Sequence, residues 1–538
     1  MSRDKMMLQG SGPLARLLGT VALVVAHAAL AGNYTFPPKT AAATVSSETH
    51  SLEHVVIKFM EGSRVSIDDG HFVATHSVTA RDTVFRTRYG LTGEEINAEL
   101  FSLNGVLDTY GAVPRVPYGD LSAASLDAMR DSGEAATGDE LGSLALYFII
   151  SRSFAQTEMR DFRDALSAFA VVEVAYAMPK ASEPIADIPP TTPVLAQTHL
   201  ASTFNYDFAN GIAGGRGAIC DMYDVETAAT FDHEDMPFST LGTIGISMWL
   251  TSPKSHGTAV MGILVADDSN GIGVKGVVPE ARAGLASPVT PLTVFLAPLP
   301  SWPYSPAQAI GIATDNLLNW GRPDRTLLIE QQFPPDPAVP LGAISSTCGG
   351  ECGKWIPVET YSWEFTAIKT AVANGIRVVE AAANGGVNLD HSYFANTLTR
   401  ESGAILVGAG VSTSNARSSF SNFGNRVRLQ GWGDSVATLG YGDLWKSPSD
   451  PGDQRQWYKS FSGTSSATPM IAGALCIIQG VATELHGGRL TESDLMRIIR
   501  VTGEGQTGNL AEPIGFQPNL RRAIEHIQLI PFIPLFDM

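Results

Sequence analysis

Phe461-Ser462-Gly463-Thr464-Ser465-Ser466-Ala467-Thr468-Pro469 runs straight into an apolar segment, Met470 to Val481. A helix that apolar must be buried on most sides, so it needs a sheet beneath it and neighbours beside it. The small residues ahead of Ser465 allow close backbone approach. A serine at a helix start also has backbone N–H groups beside it, and the helix dipole there favours negative charge. Acyl transfer has those needs, because a tetrahedral oxyanion must be held while a serine attacks a carbonyl. Taken alone, the nonapeptide serves equally well as a Ser/Thr helix cap. Its meaning depends on what else the chain carries.

Upstream of it the chain supplies a sheet. Gly217 to Tyr223 is an apolar run leading into Asp224; Thr326 to Glu330, Gly375 to Glu380 and Ala404 to Gly408 are three more. From about residue 195 onward such runs alternate with helical patterns, which predicts an α/β fold with a largely parallel sheet flanked by helices. Ligand sites in such sheets gather at the carboxyl ends of strands. Asp224 and Asn384 both fall just beyond such ends.

Three elements acquire meaning beside Ser465. Ser255-His256-Gly257-Thr258 opens an apolar helix ending near Ala266, placing an imidazole where a general base could meet a nucleophile. Asp224-Val225-Glu226 ends a strand, and a buried carboxylate there can fix the histidine tautomer. Asp221, at an odd offset from Asp224, faces the other side of the strand. Ala381-Ala382-Ala383-Asn384-Gly385-Gly386 puts a carboxamide on a glycine turn, suited to donate to an oxyanion beside the Ser465 N–H.

The order Asp, His, Asn, Ser with these local signatures resembles the subtilisin-like serine peptidases, or subtilases. Ser255-His256-Gly257-Thr258 and Gly463-Thr464-Ser465-x-Ala467-x-Pro469 carry the resemblance, which spans about residues 195–525. It implies the subtilase fold and a serine endopeptidase with Asp224, His256 and Ser465 as triad and Asn384 as oxyanion donor. It also implies a precursor whose N-terminal segment assists folding and blocks the cleft as an intramolecular inhibitor. Protein or peptide substrates follow, with no cofactor required; calcium, considered at Asp267-Asp268-Ser269-Asn270, is left unassigned beside the reading of a solvated acidic turn. The alternative is a catalytically silent subtilase fold used for binding or as a scaffold.

The chain departs from the family at several points. Asp-Val-Glu stands where Asp-Ser/Thr-Gly is usual, and Ala383 replaces a common glycine before the asparagine. Leu328 to Gln332 replaces a Ser-x-Gly segment that lines the primary specificity pocket, and inserts at about 285–308 and 333–358 border the cleft.

Other motifs fail on context. Gly271-Ile272-Gly273-Val274-Lys275-Gly276 fits a dinucleotide-binding pattern but follows a helix, not a strand. His50-Ser51-Leu52-Glu53-His54 fits a metallopeptidase pattern but abuts the strand-like Val55-Val56-Ile57. No G-x-S-x-G elbow surrounds Ser465, which argues against an α/β-hydrolase.

Residues 1–31 combine Arg3, Lys5 and Arg16 with an apolar run and the small-residue ending Ala29-Leu30-Ala31, the order of a signal peptide. Residues 32–190 are expected to form a smaller α+β prosegment, ending in a proline-rich linker from Pro179 to Pro193. Residues 195–538 are the expected catalytic domain. The net charge of −18 among 538 residues, with no basic cluster, argues against nucleic acid. No segment after residue 31 has 18 uninterrupted apolar residues, so no further membrane crossing is expected. The chain is therefore expected to be secreted, extracellular or periplasmic. Cys348 and Cys352 are placed to close a small surface disulfide, whereas Cys220 and Cys476, in apolar stretches, are expected to be buried free thiols.

Overall fold

The computed structural model describes residues 50–75, 78–119, 121–180, 197–237, 240–245, 254–287, 305–398, 400–446 and 450–529. The expected signal peptide, most of the proline-rich linker and the centre of the insert at 285–308 lie outside these residues.

The C-terminal unit is built on seven strands: β5 (Cys220–Val225), β6 (Gly242–Ile244), β7 (Arg282–Ala286), β8 (Asp324–Ile329), β9 (Arg377–Ala381), β10 (Ile405–Gly410) and β11 (Val427–Trp432). Their order in the sheet is β11-β10-β9-β8-β5-β7-β6, and every neighbouring pair runs parallel. The central strands are apolar runs because helices cover both faces. On one face lie α4 (Ser255–Val265) and α7 (Thr464–His486), packed on Met222, Leu328, Val379 and Val407. On the other lie α5 (Pro306–Trp320) and α6 (Ser362–Ala373), packed on Tyr223, Val225, Leu327 and Val378. α7 has the length and apolarity of a membrane span, yet 94% of its most apolar window is buried in this core. It is the central helix of the sheet's first face.

The N-terminal unit is a four-stranded antiparallel sheet of β1 (His50–Phe59), β2 (Val113–Arg115), β3 (Tyr147–Ser151) and β4 (Val172–Pro179), in the order β2-β3-β1-β4. Helices α1 (Gly93–Tyr110), α2 (Ala123–Thr137) and α3 (Gln156–Ser167) accompany it. The ambiguous stretch from Leu144 resolves into one 3-10 turn followed by β3.

The N-terminal unit sits on α5 and α6, where its residues share one apolar cluster with those helices. Tyr147 stacks on Trp363 at 5.6 Å and donates to the Ser362 carbonyl at 3.0 Å. The Trp363 indole donates to the Tyr118 hydroxyl at 2.8 Å, and Asn374 donates to the Met129 carbonyl at 2.9 Å. Gly133 meets α6 so closely that a Cβ there would lie 2.8 Å from the Ala373 methyl.

Both cysteine pairs are disulfides. Cys348–Cys352 is as expected, but Cys220 and Cys476 are joined, which corrects the reading of two free thiols. Cys220 is on the α7-facing side of β5 and Cys476 lies midway along α7, so the tertiary fold brings together residues 256 apart in sequence. Asp324 is the third member of this buried group. With its sulfurs joined to each other the group is no metal site, and Arg377 and Arg489 neutralise the carboxylate at 3.0 and 2.8 Å.

Candidate active site

Alternation along β5 sends Asp221 to one face, where Arg282 pairs with it at 2.5 Å. The same alternation sends Cys220, Met222, Asp224 and, just past the strand end, Glu226 to the face of α4 and α7. His256 is the second residue of α4 and wholly buried, its ring 5.5 Å from that of Phe461. Its Nδ1 is bonded to Glu226 Oε2. The expectation for Asp224 is not met at this contact: the carboxyl on the imidazole belongs to the residue two places later. Asp224 lies one pleat deeper on the same face, and the longer glutamate arm, starting beyond the strand end, reaches the ring.

Glu226 is held from its other side too. Its Oε1 accepts from the Thr227 N–H at 2.6 Å, the Thr227 hydroxyl at 3.1 Å and Gln331 Nε2 at 3.4 Å. Gly257 makes the pairing sterically feasible, since a Cβ there would sit 2.6 Å from Glu226 Cγ and 2.5 Å from the Ala228 carbonyl. A carboxylate on Nδ1 places the proton on that nitrogen and leaves Nε2 as the unprotonated one.

Ser465 is the second residue of α7, entered through Gly463 at φ +95°. Its neighbour Ser466 turns the other way and donates to the Trp432 carbonyl at 2.6 Å. Asn384 follows β9 and Ala383, whose φ of +74° falls in the left-handed region that favours glycine and costs an alanine about 1 kcal/mol. The Asn384 Oδ1 accepts from both the N–H and the hydroxyl of Thr464, each at 3.1 Å. Because the Thr464 N–H can only donate, the carboxamide orientation is set, which leaves Nδ2 as its donor end.

Three supports of this turn carry no motif. Gln332 Oε1 accepts from the Asn384 N–H at 3.0 Å. Asn422 accepts from Gly385 and Val387 and donates to the Ala382 and Trp355 carbonyls, at 2.7–3.0 Å. The Cys348–Cys352 loop presses on Gly386, where a Cβ would meet Cys348 Sγ at 2.5 Å. Replacing both cysteines by serine is expected to lower kcat by up to about 100-fold with KM little changed, because the donor turn loses its clamp. Steady-state kinetics checks this; a change confined to KM would contradict it.

The acids considered for calcium do not converge. Asp267 accepts from the Ser269 N–H and hydroxyl, while Asp268 pairs with Arg216 at 2.9 Å. Asn270 reaches Asp235, a carboxyl that burial pushes up to about 6 and whose other oxygen takes the Val274 N–H. The donors at these carboxylates are protein groups, so the turn as placed does not fit a cation cage.

Residues 343–516 match the family model described as the subtilase family, Peptidase_S8. The chain is 29% identical to the extracellular protease of Xanthomonas campestris pv. campestris over 242 residues, covering 44% of this chain and 35% of that one. It is 28% identical to the major intracellular serine protease of Bacillus subtilis over 251 residues, covering 46% and 63%. It thus spans less than two thirds of either relative. Among solved structures, fervidolysin from Fervidobacterium pennivorans, a keratinolytic enzyme related to subtilisin, superposes with a TM-score of 0.51 at 14% identity. That match covers 93% of this chain and 65% of the other and concerns the fold.

Proposed function

Because the chain is a subtilisin-like peptidase by family and fold, we propose that it is a serine endopeptidase made as a precursor and exported, with Ser465 as nucleophile, His256 as base and Glu226 as the acid that orients it. The observation that carries this reading is the buried His256–Glu226 pair, set beside a helix start whose Thr464 anchors Asn384. Ser465 attacks the scissile carbonyl as His256 Nε2 takes its proton. Glu226 stabilises the imidazolium, and Asn384 Nδ2 with the Ser465 N–H holds the oxyanion. His256 then protonates the leaving amine. Water, deprotonated by the same imidazole, releases the second product from the acyl-enzyme. A silent scaffold would have no use for a base and an acid so fixed.

The N-terminal unit, within residues 32–190, acts in this reading as folding partner and inhibitor, with residues 195–538 as the catalytic domain. Its apolar seam on α5 and α6 supports that role. Export past a signal in residues 1–31 is supported by the two disulfides, which persist in oxidising compartments. The chemistry uses side chains and water and requires no cofactor.

The test is labelling of the processed chain with a fluorophosphonate, with the adduct located by mass spectrometry and casein hydrolysis followed in parallel. An adduct on Ser465 and loss of casein cleavage are expected. An unlabelled Ser465 in folded, processed chain would reject the assignment.

A further inference from the structure

Three buried carboxyls meet where β5 and β8 end. The strands are parallel, with Leu328 beside Asp224 and Ile329 beside Val225. The next residue, Glu330, therefore comes beside Glu226 and shares the face of Asp224. Asp224 is 1% exposed, and Glu226 and Glu330 are wholly buried. Glu226 is committed to His256 and Thr227. Glu330 has no backbone or amide donor comparable to those on Glu226. The hydroxyls of Ser465 and Thr468 approach it from the first turns of α7.

The titratable groups facing Glu330 are Asp224 and Glu226 from β5 and, behind Glu226, His256 from α4. α7 brings hydroxyls alone. On the other side Ile329 pairs with Glu380, so in the same register β9 offers Ala381 to this face. Arg377 of β9 is at the far end of the strand, on Asp324. Three anions in one buried pocket repel, so one of the three carboxyls keeps its proton to higher pH. Burial first, then Asp224 and Glu226, push the Glu330 carboxyl well above the usual range.

We propose that Glu330 is a positioning residue for the hydrolysis assigned above: a neutral carboxylic acid beneath Ser465. The proposal rests on the reading of Ser465 as nucleophile. While Glu330 is neutral, the floor of the site carries one charge fewer and Ser465 keeps its orientation. When the proton leaves to solvent, the new anion lies beneath Ser465 and opposes the oxyanion. Activity then falls on the alkaline side with a one-proton dependence.

The test is kcat/KM on a peptide substrate from about pH 5 to 10, using the processed full chain as wild type, Glu330→Gln and Asp224→Asn. With Glu330→Gln the alkaline limb is expected to move up by at least about one pH unit, equivalent to tenfold in rate above it. With Asp224→Asn it is expected to move down, because Glu330 ionises sooner once its neighbour is neutral. A purely structural role would change rates without moving the limb, and that result overturns the proposal. If Glu330→Gln does not fold, the Asp224→Asn shift decides alone: downward supports the proposal, and absent or upward overturns it. Fluorophosphonate labelling separates the two readings. A labelled Ser465 with an unmoved limb sinks only the role of Glu330, whereas an unlabelled Ser465 sinks the nucleophile itself.

Discussion

Glu226→Gln is expected to lower kcat by about four orders of magnitude with KM nearly unchanged, the scale seen when a triad acid is made neutral. The carboxamide keeps the shape of the carboxylate but can present an N–H to Nδ1 where only an acceptor is tolerated. His256 would then carry its proton on Nε2 and lose the lone pair that takes the serine proton. The imidazolium would lose its counter-charge as well. Asp224→Asn leaves the His256–Glu226 contact in place and is expected to cost far less near neutral pH. Glu226→Asp falls between, since the shorter arm draws the carboxyl back from the ring. Steady-state kinetics of the three variants, with circular dichroism to confirm folding, checks this ranking; a reversed order for Glu226 and Asp224 would restore Asp224 as the triad acid.

The second large effect is on stability and comes from Glu364 of α6. It is buried at the seam with the N-terminal unit, in the field of Tyr118, Tyr147, Tyr176 and Tyr361. Burial pushes its carboxyl up to about 8, against a modest opposing pull from its own N–H and that of Ala307. The folded chain therefore holds this proton to higher pH than the unfolded chain does. The contribution is fully present below about pH 4.5 and is lost as pH rises through 8, on the order of 5 kcal/mol in all. His50 and His199, both lowered to about 4 by burial, act in the opposite sense below about pH 6.5. The contribution of Glu364 is then isolated as the difference between wild type and Glu364→Gln in denaturant unfolding. The variant is expected to lack the decline between about pH 6.5 and 8.5. Parallel curves for the two proteins would show that Glu364 is solvated.

The fold was legible because its strands are buried on both faces and read as continuous apolar runs, while α4 and α7 announce themselves through His256 and Ser465. The acid was not. Alternation places Asp224 and Glu226 on one face, so the pattern alone cannot choose between them, and the family habit of aspartate favoured Asp224, whereas the carboxyl on the His256 ring is that of Glu226. A signal was present in Glu226-Thr227-Ala228, which keeps the acid, Ser/Thr, small-residue order with glutamate for aspartate and alanine for glycine. The supports of the oxyanion turn, Gln332 and Asn422, carry no local pattern, because each acts through a backbone contact made by distant chain. Glu330 becomes a neighbour of Glu226 only through strand register. Cys220 and Cys476 sit in apolar surroundings that suit a thiol and a buried disulfide alike, and only the packing of α7 on β5 joins them.

That Cys220–Cys476 bond closes a covalent ring of chain that contains His256, Asn384 and Ser465. On the proposed function, loops that border the cleft are themselves exposed to cleavage. A single nick at any loop between residues 220 and 476 leaves both pieces tethered, with strand and helix still joined beneath the site. Self-cleavage there would change the pattern on a reducing gel before it released a fragment, so the molecule is built to age without coming apart.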